Sequence, residues 1–361
     1  MTTWIKEATD RAVEDVRRIA GTSIDFPHIT EKGQWHHTQD GVWTGGFWAG
    51  LLWLAAEHEH GGLCLQKGRE FTDRLLPRQT DSHNHDLGFM FYPSAVRGWL
   101  ATGAERYRQA AVAAAHSLCA QFNEVGGFIP GWGFFGGKDW GGAVLVDTLM
   151  NLPLLVWASH QDGDPRLLEV VHRHAATTLR HHLRPDGSVF HVFRFDEHSG
   201  DPLRGDTYQG LSPDSSWSRG QAWALTGLAI LAHMLDDARY RDASERVAGC
   251  FIRRLPLDGV PSWDFDAAGP NEPKDASAGA IASYGLLKLH QVTGNQHYLD
   301  SAMRLLHALT VSCANTTGRG GILLHATADK PHGLGVDEST MYGDYYFLKS
   351  LMALRRVVGN V

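Results

Sequence analysis

AVLVDTLMNLPLLVWA, residues 143–158, is apolar almost all the way round. A helix with no polar face has no side to present to water, so this stretch belongs in an interior. A short link, 161–163, joins it to a second helical pattern over 164–182. Two helices joined so tightly form an antiparallel pair. The same arrangement recurs along the chain. Apolar residues at helical spacing run over about 4–20, 44–58, 68–80, 91–102, 104–122, 144–160, 164–182, 218–235, 238–254, 277–293, 296–313 and 341–357. Short links at 102–104, 235–237 and 293–296 alternate with long Gly- and aromatic-rich loops such as 126–142 and 183–195, the latter carrying a short hairpin around Asp186 and Gly187. The fold expected is all-α: a closed (α/α)6 barrel of six helical hairpins, one ring inside another, with residues 1–361 as a single domain. An open solenoid with a concave groove is the alternative.

Composition narrows the function. The formal net charge is −7, which argues against nucleic acid as a partner, since phosphate binding wants a basic face. No apolar run reaches the roughly 20 residues that a membrane-spanning helix needs, and the N-terminal stretch reads as an amphipathic helix, not a leader. Cys64, Cys119, Cys250 and Cys313 are far apart and form no CxxC pair, as expected of reduced thiols in a cytoplasmic protein. Among the 21 histidines, the densest groups (His36 with His37, His83 with His85, His181 with His182) lack zinc-ligand spacing, so no metal and no cofactor is expected. The oligomeric state is not written in the sequence.

Polar residues inside apolar helices carry the chemistry. In 143–158 only Asp147, Thr148 and Asn151 break the apolar surface, and Asp147 and Asn151 stand four apart on one strip. A carboxylate there must be hydrogen-bonded, paired or neutral. Desolvation raises its pKa into the range of a general acid at neutral pH; a structural Asp capping a nearby loop is the other reading. Pro153 removes a backbone donor and is expected to bend the helix. A second carboxylate, Asp86, sits in HNHDLGFMFYP (83–93), either as a turn former or as a partner acid. SPDSSWSRGQAW (212–223) places Arg219 and Trp223 one turn apart at a helix start, a fork of donors beside a stacking face. A capped helix with Trp217 and Trp223 in the core is equally consistent. Trp43 before a helix, Trp132 between glycines, His191 near the hairpin and Gln209 in DTYQG are further groups of the kind that recognise saccharides, each also readable as a loop anchor.

These motifs resemble the unsaturated glucuronyl hydrolases of glycoside hydrolase family 88. The matching stretches are HTQDGVWTGGFWAG, HDLGFMF, VDTLMNLPLLVWAS, SPDSSWSRGQAWALTGLA and GILLHATADKPHGLGVDESTMYGDYYFLKSL, in order over about residues 37–350. The resemblance implies an (α/α)6 barrel. It also implies hydrolysis of lyase-generated oligosaccharides that carry a 4,5-unsaturated glucuronyl residue at the non-reducing end. Asp147 takes the place of the acid that protonates C4, and Asp86 that of the second essential carboxylate. Trp43, Trp132, His191, Gln209, Arg219 and Trp223, with His85 and Trp217 less directly, take the place of substrate-binding groups. The partner implied is a small oligosaccharide. A Ser-x-x-Ser-x-Lys pattern that reads sulfate in some family members is absent, which favours unsulfated substrates. Unsaturated rhamnogalacturonyl hydrolases of family 105, sugar 2-epimerases on a similar helical ring and a non-catalytic binding protein are the alternatives.

Overall fold

A computed structural model describes residues 3–59, 62–131 and 140–359. In chain order its first helices are α1 (Thr3–Thr22), α2 (Gly45–Glu59), α3 (Gly62–Leu75) and α4 (Leu87–Phe91). A π turn (Tyr92–Val96) carries α4 into α5 (Arg97–Thr102), and α6 (Glu105–Cys119) follows. Then come α7 (Leu152–Asp162), α8 (Pro165–His181), α9 (Ser218–Leu235), α10 (Ala238–Arg254), α11 (Ala276–Thr293), α12 (Gln296–Ser312) and α13 (Met341–Gly359).

Burial sorts them into two rings. In α9 every residue from Ser218 to Ala232 is buried. In α10 burial is confined to one face: Tyr240, Ala243, Ser244, Val247, Ala248, Cys250 and Phe251. The all-apolar type (α2, α4, α7, α9, α11, α13) can only be satisfied inside, with α5 continuing α4, and the amphipathic type (α1, α3, α6, α8, α10, α12) packs around it. Each inner helix touches the next, and α13 touches α2. The ring therefore closes, which excludes the open solenoid.

The link after each inner helix from α5 to α11 uses one device. Gly103, Gly163, Asp236 and Gly294 end α5, α7, α9 and α11 in the left-handed conformation. This is the usual helix stop, where the chain reverses and frees the last carbonyls for capping. Asp164, Asp237 and Asn295 then cap the outer helix by accepting the N–H two residues on, each worth about 1 kcal/mol. The four stretches GAERY, GDPRL, DDARY and GNQHY (103–107, 163–167, 236–240, 294–298) end on Tyr107, Leu167, Tyr240 and Tyr298, all buried.

Connections in the other direction are long, and they lead into the N-termini of the inner helices. They hold the few strands: β1 (Phe26–Glu31) with β2 (Gln34–Thr38), and a three-stranded antiparallel sheet in the order β3 (Ala143–Leu145), β4 (Val192–Phe195), β5 (Pro202–Asp206). The turn at Asp186 and Gly187 is present, closed by a bridge between Leu183 and Val189.

Residues 143–158 depart from the single helix expected. Ala143–Leu145 pair with β4, the Val146 N–H donates to His191 O at 2.9 Å, and a 3-10 turn covers Val146–Met150 before α7 begins. Two β-branched valines and a neighbouring strand outweigh helical spacing here. Pro153 bends nothing: it stands in the first turn of α7, where its missing N–H costs no hydrogen bond. The pattern expected over 68–80 divides into α3, which starts earlier, and a 3-10 turn (Leu76–Thr80) opened by Pro77. No helix among the described residues is long and apolar enough to cross a membrane.

Candidate active site

Because every inner helix is entered from the same end, six inner N-termini and their leading loops converge there. Trp43 lies two residues before α2, His85 and Asp86 directly before α4, Asp147 on the 3-10 turn before α7, and Arg219 in the first turn of α9. The sequence positions span most of the chain, and the ring brings them to one mouth.

Glycine permits the close approach of these termini. A Cβ on Gly88 would sit 2.3 Å from Asn151 Cα, and one on Gly46 would sit 2.2 Å from Phe89 O. With α2, α4 and α7 in near-backbone contact, Asn151 reaches across to α4. Its Oδ1 accepts from Phe89 N at 2.7 Å, and its Nδ2 donates to Asp86 Oδ1 at 3.3 Å. Asn151 thus holds Asp86, while Asp147 stands on the 3-10 turn before α7.

Asp86 is 6% exposed, and His85 Nε2 lies 3.5 Å from its Oδ1. Burial pushes its carboxyl pKa up, against the pull of His85 and the Asn151 hydrogen bond. Asp147 is 8% exposed, and its Oδ1 has no hydrogen-bond partner among the described residues. Burial first, and then repulsion from Asp86, push it up to about 7; His85 and Arg219 pull the other way. An Asp with its pKa raised towards neutrality and one oxygen without a protein partner has the properties of a proton donor.

Around the carboxylates stands an aromatic wall. Trp43 is half-buried and stacks on Tyr342 at the start of α13, centroids 5.2 Å apart. The Arg219 guanidinium lies 5.1 Å from the Tyr342 ring and 4.4 Å from Trp217. Trp217 in turn packs 4.3 Å from His191. His191 accepts at Nδ1 from Tyr208 N (3.2 Å) and Gln209 N (3.3 Å), while Nε2 is buried without a partner among the described residues. Two N–H groups pointing at Nδ1 put the ring proton on Nε2, and burial with Arg219 nearby keeps the ring neutral, its pKa well below the usual histidine range. His191 is therefore a fixed, neutral donor whose buried Nε2–H has no acceptor among the described residues.

Two expectations need correction. Arg219 does not hold a free fork for an anion. Its Nη1 donates to Asp275 Oδ2 (2.6 Å) and Thr327 O (2.5 Å), and its Nη2 donates to Ala328 O. A buried guanidinium needs such partners, and Asp275 neutralises its charge. Trp223 is 1% exposed and packed against Phe89 at 4.9 Å and Tyr346 at 5.6 Å, so most of its surface is core, not a stacking wall. Gln209 is likewise engaged, its Nε2 donating to Ala328 O at 2.9 Å. Trp132 lies outside the described residues.

Sequence reasoning missed Asp275 and Tyr342. Asp275 caps α11, and Tyr342 lies in the first turn of α13. Both stand, like Trp43, Asp86, Asp147 and Arg219, at the entry to an inner helix, and that shared position could have found them. Among the described residues no group of three or more His, Cys, Asp or Glu is arranged to hold a metal ion.

A family model described as Glycosyl Hydrolase Family 88 matches residues 4–349. The unsaturated glucuronyl hydrolase of Bacillus sp. (strain GL1) is 34% identical, covering 98% of this chain and 97% of that one. A crystal structure of an unsaturated glucuronyl hydrolase specific for heparin superimposes with a TM-score of 0.93 at 31% identity, covering 99% of each chain. A mutant of the enzyme from Streptococcus agalactiae, complexed with dGlcA-GalNAc6S, superimposes with a TM-score of 0.81 at 28% identity, covering 97% of this chain and 90% of that one. Since the matched residues take in every inner-helix entry that builds the pocket, the chain belongs to Glycosyl Hydrolase Family 88.

Proposed function

We propose that the protein removes a 4,5-unsaturated glucuronyl residue from the non-reducing end of lyase-generated oligosaccharides, with Asp147 as the proton donor. The unsaturated ring is an enol ether. A proton from Asp147 forms the C4–H bond, and positive charge appears at C5, shared by the ring oxygen as an oxocarbenium ion. Water adds at C5 and gives up a proton to the Asp147 carboxylate, which restores the acid. The resulting hemiketal opens to a C5 ketone, C1 becomes a hemiacetal, and its collapse releases the next sugar. The glycosidic oxygen is never protonated by the enzyme, unlike the schemes in which attack falls on the anomeric carbon.

The observation that carries this reading is a buried Asp147 whose Oδ1 has no partner among the described residues, beside a second buried carboxylate that helps to raise its pKa. Asp86, held by Asn151 and His85, orients the ring hydroxyls and keeps its neighbour protonated by repulsion. His191 supplies an Nε2–H to the substrate, and Trp43 supplies a stacking face. Arg219 and Gln209 fix the neighbouring loop, both donating to Ala328 O. The relatives named above act on unsaturated glucuronides, which favours this reading over the rhamnogalacturonyl and epimerase alternatives. We place the reaction in the cytoplasm, with four cysteines outside any disulfide as support.

The test is the ultraviolet absorbance of the conjugated double bond. Incubation with lyase digests of hyaluronan, chondroitin, gellan and xanthan should make the signal decay in at least one digest. A flat trace in all of them would overturn the assignment, and is what an epimerase or a lectin would give.

A further inference from the structure

At the end of the barrel opposite the mouth, the inner helices bring together a second cluster of polar groups that the reaction above does not use. Lys349, well inside α13, holds its ammonium against three phenol rings. Its Nζ lies 4.3 Å from the ring centroid of Tyr284 in α11, 5.0 Å from that of Tyr345 and 5.3 Å from that of Tyr346. Tyr92, in the π turn before α5, bears electrostatically on all three phenols. Neither the four hydroxyls nor the Lys349 ammonium has a hydrogen-bond partner among the described residues. Tyr345 and Tyr346 are buried, whereas Tyr92, Tyr284 and Lys349 are half-buried, so the cluster meets solvent.

Its charge is unbalanced. Burial, and then the like charges of Arg97 and Lys288, hold the Lys349 pKa well below the usual lysine range. Lys288 Nζ lies 5.7 Å from the Tyr284 ring and donates only to the neutral Gln291 Oε1, at 3.0 Å. Arg97 and Arg356 share a single carboxylate, that of Glu57. Four cations thus stand against one acid. The partial negative charge of a helix C-terminus falls off within its last turn, which holds Arg356 but not Lys349. Glu57, Arg97 and Arg356 also line a cavity of about 550 Å³ between α2, α3, α5 and α13, which leaves room for a solute beside the cluster.

We propose that this end of the barrel binds a small oxyanion of the inorganic phosphate class, held by the Lys349 ammonium and the surrounding phenol hydroxyls, with Arg97 at its edge. An ammonium withdrawn from water with no counter-charge is costly, and an anion recovers that cost. A tetrahedral oxyanion accepts from several donors at once, and charge-assisted bonds of this kind are the strong ones. A cationic ligand does not fit, because Lys349 itself occupies the faces of the three rings. The inference stands apart from the hydrolase reading, since none of these groups lies at the mouth.

The test follows the melting temperature of the intact protein in inorganic phosphate, against sodium chloride of the same ionic strength. The wild type should melt about 2 °C higher or more at saturating phosphate. Lys349→Met, which keeps an unbranched side chain and removes its charge, should abolish that rise while kcat on an unsaturated disaccharide stays near the wild-type value. If Lys349→Met does not fold, Tyr284→Phe carries the test: calorimetric titration with phosphate should show a Kd about tenfold weaker than that of the wild type. No rise in the wild type beyond that in chloride would overturn the inference. So would a rise that survives in folded Lys349→Met, which would place phosphate elsewhere, or an unchanged Kd in Tyr284→Phe.

Discussion

Two buried aspartates in this molecule share a raised pKa and differ in everything else. Asp147 at the pocket and Asp344 in the first turn of α13 are both pushed up to about 7, in each case chiefly by burial. Asp344 is fully buried, and both of its oxygens are used: Oδ1 accepts from Leu323 N and Oδ2 from Ile322 N, each at 2.9 Å. It staples the segment ahead of the last loop to the inner ring. Asp147 has an oxygen without a partner among the described residues and a second carboxylate as its neighbour. A raised pKa by itself does not tell the two apart; the unfilled oxygen and the company it keeps separate a working acid from a structural one.

That contrast can be broken most forcefully at Asp147. Asp147→Asn should lower kcat by about 10³-fold or more, the scale of a lost general acid, with a melting temperature equal to or above that of the wild type. A variant that kept its activity would place the proton elsewhere. Asp344→Ala should do the reverse. Two buried N–H groups lose their acceptor at about 1–3 kcal/mol each, visible in denaturant melts, while kcat of the folded fraction stays near the wild-type value. Equal damage to kcat from both substitutions would erase the distinction.

Protons sharpen the comparison more finely. Both groups rise from 3.8 to about 7 on folding, so between those values the native state holds protons that the unfolded chain has released. Stability should therefore fall as pH rises through that window and level off above it. Asp344→Asn should remove its share of the slope and leave the pH–rate profile alone. The activity limb belongs to Asp147: kcat/KM should decline above about pH 7, as the acid ionises. The smallest effect is on the position of that limb. In Asp86→Asn, the residual activity should decline at lower pH than in the wild type, because a repelling charge is gone and Asp147 ionises more easily. A limb that stays put or moves upward would show that the two carboxylates do not communicate.

Most of the barrel could be read from apolar spacing. The ranges expected at 218–235 and 238–254 coincide with α9 and α10, and the short links fall at Gly103, Gly163, Asp236 and Gly294. Helical periodicity failed at 143–150, where a strand pairing with β4, some fifty residues downstream, takes over. Such a partner is invisible to any local window. The capped link repeated in GAERY, GDPRL, DDARY and GNQHY was present in the sequence but too short and degenerate to register as a repeat. Within the site, Asp147, Asp86 and His191 stood out as polar groups in apolar or aromatic surroundings. The partners of Arg219 did not: Asp275 lies 56 residues away and Ala328 lies 109 away. Residue type alone therefore made the guanidinium look available when it is already engaged.

The stacking of Trp43 on Tyr342 joins the entry of the second helix to the entry of the thirteenth, and Arg219, over the same Tyr342 ring, is clamped by the loop at Thr327 and Ala328. Translation must therefore pass Tyr342 before Trp43 and Arg219 acquire these partners. A chain cut before Thr327 would leave the guanidinium without its carbonyl acceptors and the indole without its stacked phenol, however well its remaining helices formed.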